Sequence, residues 1–276
     1  MSDQNETYEI YAVKYATMRE RKRSDNFITP DRHESASMPI DYFVWAVVGN
    51  DRSYVVDTGF EPKVAERRGR SLIRSVSEAL ETIGIEAATA PDVIVTHLHY
   101  DHVGGFEQFP AARYHLQERE MQFATGPHMC TAAMNHPFEA DHIAGMVHRV
   151  FEGRVSFHDG DVELAPGITL HFIGGHTMGL QVVRVRTKRG WVVLASDASH
   201  FYENMEAVSP FPIVYNVGDM IRGYETLKGL ASSPRHIIPG HDPLVLARYP
   251  APKKALEGIA CRLDVEPLDA LDTSRS

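Results

Sequence analysis

The sequence predicts an α/β domain, and three observations carry that prediction. A strand, helix, strand unit is legible between residues 53 and 96, short apolar strands follow one another after Gly153, and a helix over 217–231 leads into a further strand. The chain has 276 residues, 43% of them hydrophobic and 24% charged, which is ordinary globular usage. Without a low-complexity stretch or a linker, residues 1–276 are expected to form one domain.

Taken in order, the opening "MSDQNETYEI" is polar and acidic and lacks the basic and apolar regions of a signal peptide. No apolar run approaches the length of a membrane span, so no membrane is expected as a partner. The segment from Met18 to Pro39 is charged and without period, and is expected as an arm that helps form a homodimer and one wall of a pocket. Its basic cluster, Arg19 to Arg23, together with Arg67, Arg68 and Arg70, is expected on solvated faces.

The runs "YFVWAVVG" (42–49), "SYVVD" (53–57) and "DVIVT" (92–96) are β-branched and aromatic and read as buried strands. Between the last two, "RGRSLIRSVSEALETIG" places Leu72, Ile73, Val76, Leu80 and Ile83 on one helical stripe. From 113 to 150 the pattern turns helical and loose, and about 118–150 is expected as a lid over a pocket. Strands return with "RVSFH", "ITLHFI", "LQVVRV" and "WVVLAS", then the helix "VGDMIRGYETLKGLA", then "RHIIP" and "GHD".

The functional signal sits at the strand ends, where open α/β sheets collect their sites. "THLHYDHVGG" (96–105) packs His97, His99, Asp101 and His102 into six residues. Imidazoles and carboxylates of this kind hold a zinc-like cation. Alternate positions let His97 and His99 share one ion, while Asp101 and His102, past the bend, face a neighbouring one. Later polar turns add His176 in "GGHTMG", Asp197 in "LASDASH" and His241 in "PGHDP". Of the 15 histidines, His115, His128, His136, His142, His148, His158, His171 and His236 are expected to be structural. The formal charge of −9 argues against a nucleic-acid partner, since phosphate binding needs clustered Lys and Arg. Only Cys130 and Cys261 are present, outside any CxxC spacing, which fits a reduced cytoplasm.

From Asp57 in "VVDTGF" through "HLHYDH", "GGHTMG" and "SDAS" to "PGHD", the chain resembles the metallo-β-lactamase superfamily, and within it the N-acyl homoserine lactone lactonases. The resemblance implies an αβ/βα sandwich of two mixed sheets flanked by helices. It also implies two Zn2+ ions, other divalent metals being able to take the same ligands. By position, His97, His99 and His176 would hold one ion and Asp101, His102 and His241 the other, with Asp197 bridging and Asp57 as a buried support.

The true β-lactamases of that fold carry Cys where Asp197 stands, so antibiotic hydrolysis is not expected. A diiron oxygen-reducing enzyme would need a flavin-binding partner domain. What remains is a dinuclear-zinc hydrolase opening a lactone ring by attack of a metal-bridging hydroxide, its partner a small-molecule lactone or ester. A glyoxalase-II-like thioesterase and a phosphotriesterase are the alternatives, and a small-molecule-binding module on the same fold is the non-enzymatic one. Asp101 and His200 are the expected catalytic groups. His200 stands where the familiar lactonases have a substrate-holding Tyr, and Tyr202 and Tyr215 lie nearby as core or rim aromatics.

Overall fold

The computed structural model describes residues 6–268. Thirteen strands are present among them. They are β1 (Glu9–Met18), β2 (Ile40–Val48), β3 (Ser53–Val56), β4 (Ser71–Leu72), β5 (Asp92–Ile94), β6 (Arg113–Gln117), β7 (Val155–His158), β8 (Val162–Ala165), β9 (Ile168–Phe172), β10 (Gln181–Thr187), β11 (Gly190–Ser196), β12 (Ile237–Pro239) and β13 (Ala260–Arg262). They build two mixed sheets, one ordered β13-β1-β2-β3-β5-β6-β7 with β4 beside β1, the other β12-β11-β10-β9-β8. In the first, β1, β2 and β3 run antiparallel, and β3, β5, β6 and β7 run parallel.

The period of two in β2 explains the layering. Phe43, Trp45 and Val47 point between the sheets, where they meet Val183, Val185 and Leu194. Tyr42, Val44 and Ala46 point the other way, into a second core with Leu80, Leu98, Phe123 and Met146. One sheet thus buries both faces, and the run reads as continuously apolar for that reason.

Three elements differ from the sequence reading. The strand Glu9–Met18 carries no clean alternation and was not anticipated, although it is the most central partner of β2. The helix expected across "RGRSLIRSVSEALETIG" is confined to Val76–Glu81, because Ser75 and Glu78 close a capping box there. Ser71–Leu72 upstream is drawn into β4 against β1, and Ile73 is left exposed. Gly69, at φ 64°, makes the turn that swings Arg70 back toward the body.

The segment 118–150 holds helices Glu118–Ala124, Ala132–Asn135 and Ala140–Phe151. The stretch after β1 lies along its own body. Asn204 donates to the Asn26 carbonyl at 2.9 Å, Ile28 N–H donates to the Pro210 carbonyl at 2.7 Å, and Arg23 pairs with Glu203.

Candidate metal centre

Parallel pairing of β3, β5 and β6 brings Asp57 and the loop after Ile94 to one sheet edge, and β11 and β12 of the second sheet deliver Asp197 and His241 to the same place. The junction is stitched by buried hydroxyls: Thr96 Oγ1 lies 2.8 Å from Asp57 Oδ2 and 2.9 Å from Ser196 Oγ. Asp57 and Ser196 take φ values of 63° and 45°, a left-handed backbone that turns each chain out of its strand and toward the site. Gly240 is required by contact: a Cβ there would stand 2.7 Å from the Ser196 carbonyl and 2.8 Å from Asp197 Oδ1.

The seven candidate ligands converge as two triads, His97/His99/His176 and Asp101/His102/His241, whose ligating atoms each lie within 4.8 Å of one another. Asp197 stands between them. Its Oδ2 faces the first triad, 3.2 Å from His176 Nε2 and 3.8 Å from His97 Nε2. Its Oδ1 faces the second, 3.0 Å from His241 Nε2 and 3.3 Å from His102 Nε2. Asp101 Oδ2 is 3.8 Å from both His102 Nε2 and His241 Nε2.

The outer nitrogens of three of these rings meet oxygens that act as acceptors. His102 Nδ1 donates to Asp57 Oδ2 at 2.7 Å, His176 Nδ1 to the Ile213 carbonyl at 2.7 Å and His241 Nδ1 to the Asp41 carbonyl at 2.9 Å. A proton fixed on Nδ1 leaves the Nε2 lone pair pointing inward. His102 Nε2 and Asp197 Oδ1 are buried with no hydrogen-bond partner, a costly arrangement unless a cation takes both. His97 Nε2 and His176 Nε2 stand 3.2 Å apart, close to the roughly 3.3 Å that separates two nitrogens on one tetrahedral zinc ion. By donor chemistry and by spacing, the residues fit a pair of divalent cations.

Burial sets the proton states. It holds His97, His99 and His200 well below the ordinary imidazole range, so they are neutral ligand-type rings. Burial also presses on His102, but the carboxylates of Asp197, Asp57 and Asp101 outweigh it and hold the ring well above that range. For Asp197 burial pushes up, while His241, His102 and His200 outweigh it and keep the carboxyl ionised.

A second buried carboxylate lies behind the first triad and has no signal in the sequence. Glu120 accepts from Leu98 N–H at 2.8 Å, Thr177 Oγ1 at 2.6 Å and Gly179 N–H at 3.0 Å, tying the His99 loop to the His176 loop. Its partners are 22 to 59 residues away in the chain, beyond any local pattern.

His200 lies against Asp197, its Nε2 2.9 Å from Oδ2, with its ring stacked on Phe211 at 3.3 Å between centroids. Tyr202 is in the core between the sheets, whereas Tyr215 borders the site beside Phe123. A cavity of about 60 Å³ opens over the metal-type cluster, and a neighbouring one of about 50 Å³ is walled by Phe123, Met134, Ile213 and Tyr215. His136 lines both. The arginines are a correction to the sequence reading. Arg21, Arg68 and Arg70 line the first cavity instead of solvated faces, because the end of β1 and the Gly69 turn carry them inward.

A two-sheet sandwich with clustered histidines and aspartates at its edge defines a metal-binding α/β domain. Residues 39–249 match the family model described as the metallo-beta-lactamase superfamily, and the chain belongs to that superfamily. Curated relatives include the N-acyl homoserine lactonase AttM of Azorhizobium caulinodans, 27% identical over 64% of this chain and 66% of that protein. AiiA of Bacillus thuringiensis subsp. kurstaki, also an N-acyl homoserine lactonase, is 30% identical over 48% of each chain. The aligned part thus spans just under two thirds of the first relative's length and about half of the second's.

Among solved structures, a quorum-quenching N-acyl homoserine lactone lactonase superposes with a TM-score of 0.70 at 21% identity, over 88% of this chain and 93% of that one. The dizinc quorum-quenching lactonase AidC, solved with a product, superposes at 0.67 and 14% identity over 87% and 92%. Both share the fold.

Proposed function

We propose that the protein is a metal-dependent hydrolase that opens lactone rings, of N-acyl homoserine lactones or related esters, with two divalent cations, zinc by preference, as cofactor. The observation that supports this best is the division of Asp197, one oxygen toward each triad. His97, His99 and His176 would hold one cation and Asp101, His102 and His241 the other. Such a pair, when bound, lowers the pKa of a shared water and polarises a carbonyl oxygen.

The chain supplies the rest. Asp101, whose side chain is 11% exposed at the cavity, would take up on Oδ the proton released by the attacking water and hand it to the departing ring oxygen. His200, a neutral ring at the same cavity, orients Asp197 through Nε2 and is the second group able to carry that proton. The wall of Phe123, Met134, Ile213 and Tyr215 excludes water and receives the acyl or ring portion. In the same proposal the arm after Met18 contributes to a homodimer, and deleting Arg19 to Glu34 should change the sedimentation mass.

The reading is tested with purified protein of measured metal content, offered homoserine lactones, other lactones, thioesters and phosphotriesters. Two metal equivalents per chain and a kcat/KM highest for a lactone are expected. Filled sites with no lactone turnover would overturn it. His200→Ala should keep its metal and lose roughly ten- to a thousandfold in kcat/KM, the scale of one lost donor or proton carrier.

A further inference from the structure

Three guanidinium groups face a cavity in which a neutral lactone would give them nothing to pair with. Arg21, Arg68 and Arg70 border the same space as Asp101, His200 and His241. Arg68 is neutralised, since Glu139 takes its Nε at 2.7 Å. The other two are not. Arg21 is 9% exposed and spends its Nε on Asn26 Oδ1 and its Nη2 on the Asp25 carbonyl at 2.8 Å. Arg70 donates from Nε to Tyr100 OH at 2.9 Å and from Nη1 to the Arg68 carbonyl at 2.6 Å.

Every one of those acceptors is neutral. Among the described residues neither Arg21 nor Arg70 meets a carboxylate within ion-pair distance, and Arg21 Nη1 and Arg70 Nη2 have no hydrogen-bond partner. Burial lowers the Arg21 guanidinium, Arg70 adding to this and Asp25 opposing it, whereas Arg70 is raised against its burial by Tyr100, Tyr42 and Asp101. Two guanidinium groups thus share one wall, both held in place by neutral hydrogen-bond acceptors, and each keeps one Nη able to donate to an anion that enters. The planar fork of each suits the paired oxygens of a carboxylate or phosphate.

We infer that this wall is an anion subsite: the substrate carries, apart from the bond that is broken, a carboxylate or phosphate group that Arg21 and Arg70 grip. The inference rests on the hydrolase reading for the reaction, but its test is a binding measurement that stands apart from turnover. The metal-loaded protein is titrated calorimetrically with paraconate, a γ-lactone bearing a carboxylate, with its neutral amide, and with the phosphate monoester of hydroxymethyl-γ-butyrolactone. The anions should bind at least about tenfold more tightly than the amide, and the tighter of the two identifies the source of the oxyanion.

In Arg70→Gln and Arg21→Gln the ratio of anion to amide affinity should fall toward one. Equal binding of anion and amide by the wild type overturns the subsite. A preference that survives in both variants places the anion on the cations instead, and overturns it equally. Because Arg21 anchors the arm, phenylglyoxal labelling of the wild type supplies a second reading: paraconate should protect Arg21 and Arg70 and the amide should not, and absence of protection refutes the assignment. Ring opening of paraconate, of its amide and of N-hexanoyl homoserine lactone, followed in parallel, tests the hydrolase reading alone.

Discussion

The two triads face a common carboxylate, Asp197, and differ in what stands behind them. The first consists of three histidines, His97, His99 and His176, whereas Asp101 puts a carboxylate into the other set. Behind the first, Glu120 bonds only to the loops, through Leu98, Thr177 and Gly179. Behind the second, Asp57 bonds directly to a ligand-type ring, His102 Nδ1. Burial raises the pKa of both carboxyls, and the donors around each oppose that rise without cancelling it. The contrast is between a carboxylate on the back of one ring and a carboxylate that joins the two loops carrying the other rings.

Removing the shared element should have the largest effect. Asp197→Ala leaves His102 Nε2 and His241 Nε2 without the oxygen they now face at 3.3 and 3.0 Å. At least one cation should be lost on elemental analysis, and kcat/KM should fall on the order of a thousandfold or more, the several kcal/mol that metal assistance supplies. Unchanged metal content would show that the triads do not depend on a bridge.

Asp57→Asn separates the halves. The amide can still accept from one neighbour, but its NH2 then points at a donor, since Thr96 N–H, Thr96 Oγ1 and His102 Nδ1 all lie within 2.8 Å of this carboxylate. Affinity for one of the two cations should drop about 10- to 100-fold, the scale for a lost outer partner of a ligating His, while the other is retained. Competition with a chelating dye reads the two affinities. Equal weakening of both would erase the distinction.

Much of this centre was legible in the sequence because its parts are local or end strands. Four candidates sit within six residues, and His176, Asp197 and His241 each follow an apolar strand, so chain position alone nominated them. Asp57 was nominated by the resemblance. Glu120 was not, because it opens an ordinary amphipathic helix and reaches Thr177 only through the fold. Arg21, Arg68 and Arg70 looked like solvent-facing charge, since nothing local shows that β4 forms where a helical stripe is written. Period arguments assign faces within an element, and they fail where pairing overrides the element itself.

The opposite proton preferences of His97 and His99 on one side and His102 on the other give a pH test on metal-free protein. His97 and His99 are held below their ordinary value, burial being the main cause, so their contribution to stability is complete above about pH 6.5, the unfolded value, and is lost as pH falls through the folded one. His102 is raised, so its contribution is complete below about pH 6.5 and is lost as pH rises through its folded value. Urea unfolding should therefore show a stability maximum near neutrality, with slopes of at most about 1.4 kcal/mol per pH unit for each ring. Adding zinc should abolish the alkaline slope, because the cation displaces the His102 proton. A monotonic profile in the metal-free protein would mean that the triads titrate alike.

Glu120→Gln should have the smallest effect and the most specific one. The carboxylate uses Oε1 for Leu98 N–H and Oε2 for both Thr177 Oγ1 and Gly179 N–H, and all three are buried. An amide has one oxygen, so whichever way it is placed its NH2 confronts a backbone N–H that cannot turn away. Relief from burying a charge offsets part of this, because burial disfavours the charged form of Glu120. The net loss should be about 2 kcal/mol, the scale of one buried donor left unsatisfied, which lowers the melting temperature by roughly 4–8 °C. Metal affinity measured well below that temperature should change by less than about threefold, since no ligating ring loses a hydrogen bond. If Glu120→Gln instead weakened cation binding as strongly as Asp57→Asn, the loops of the first triad would be tuning their ligands as directly as Asp57 tunes His102, and the two halves would be alike.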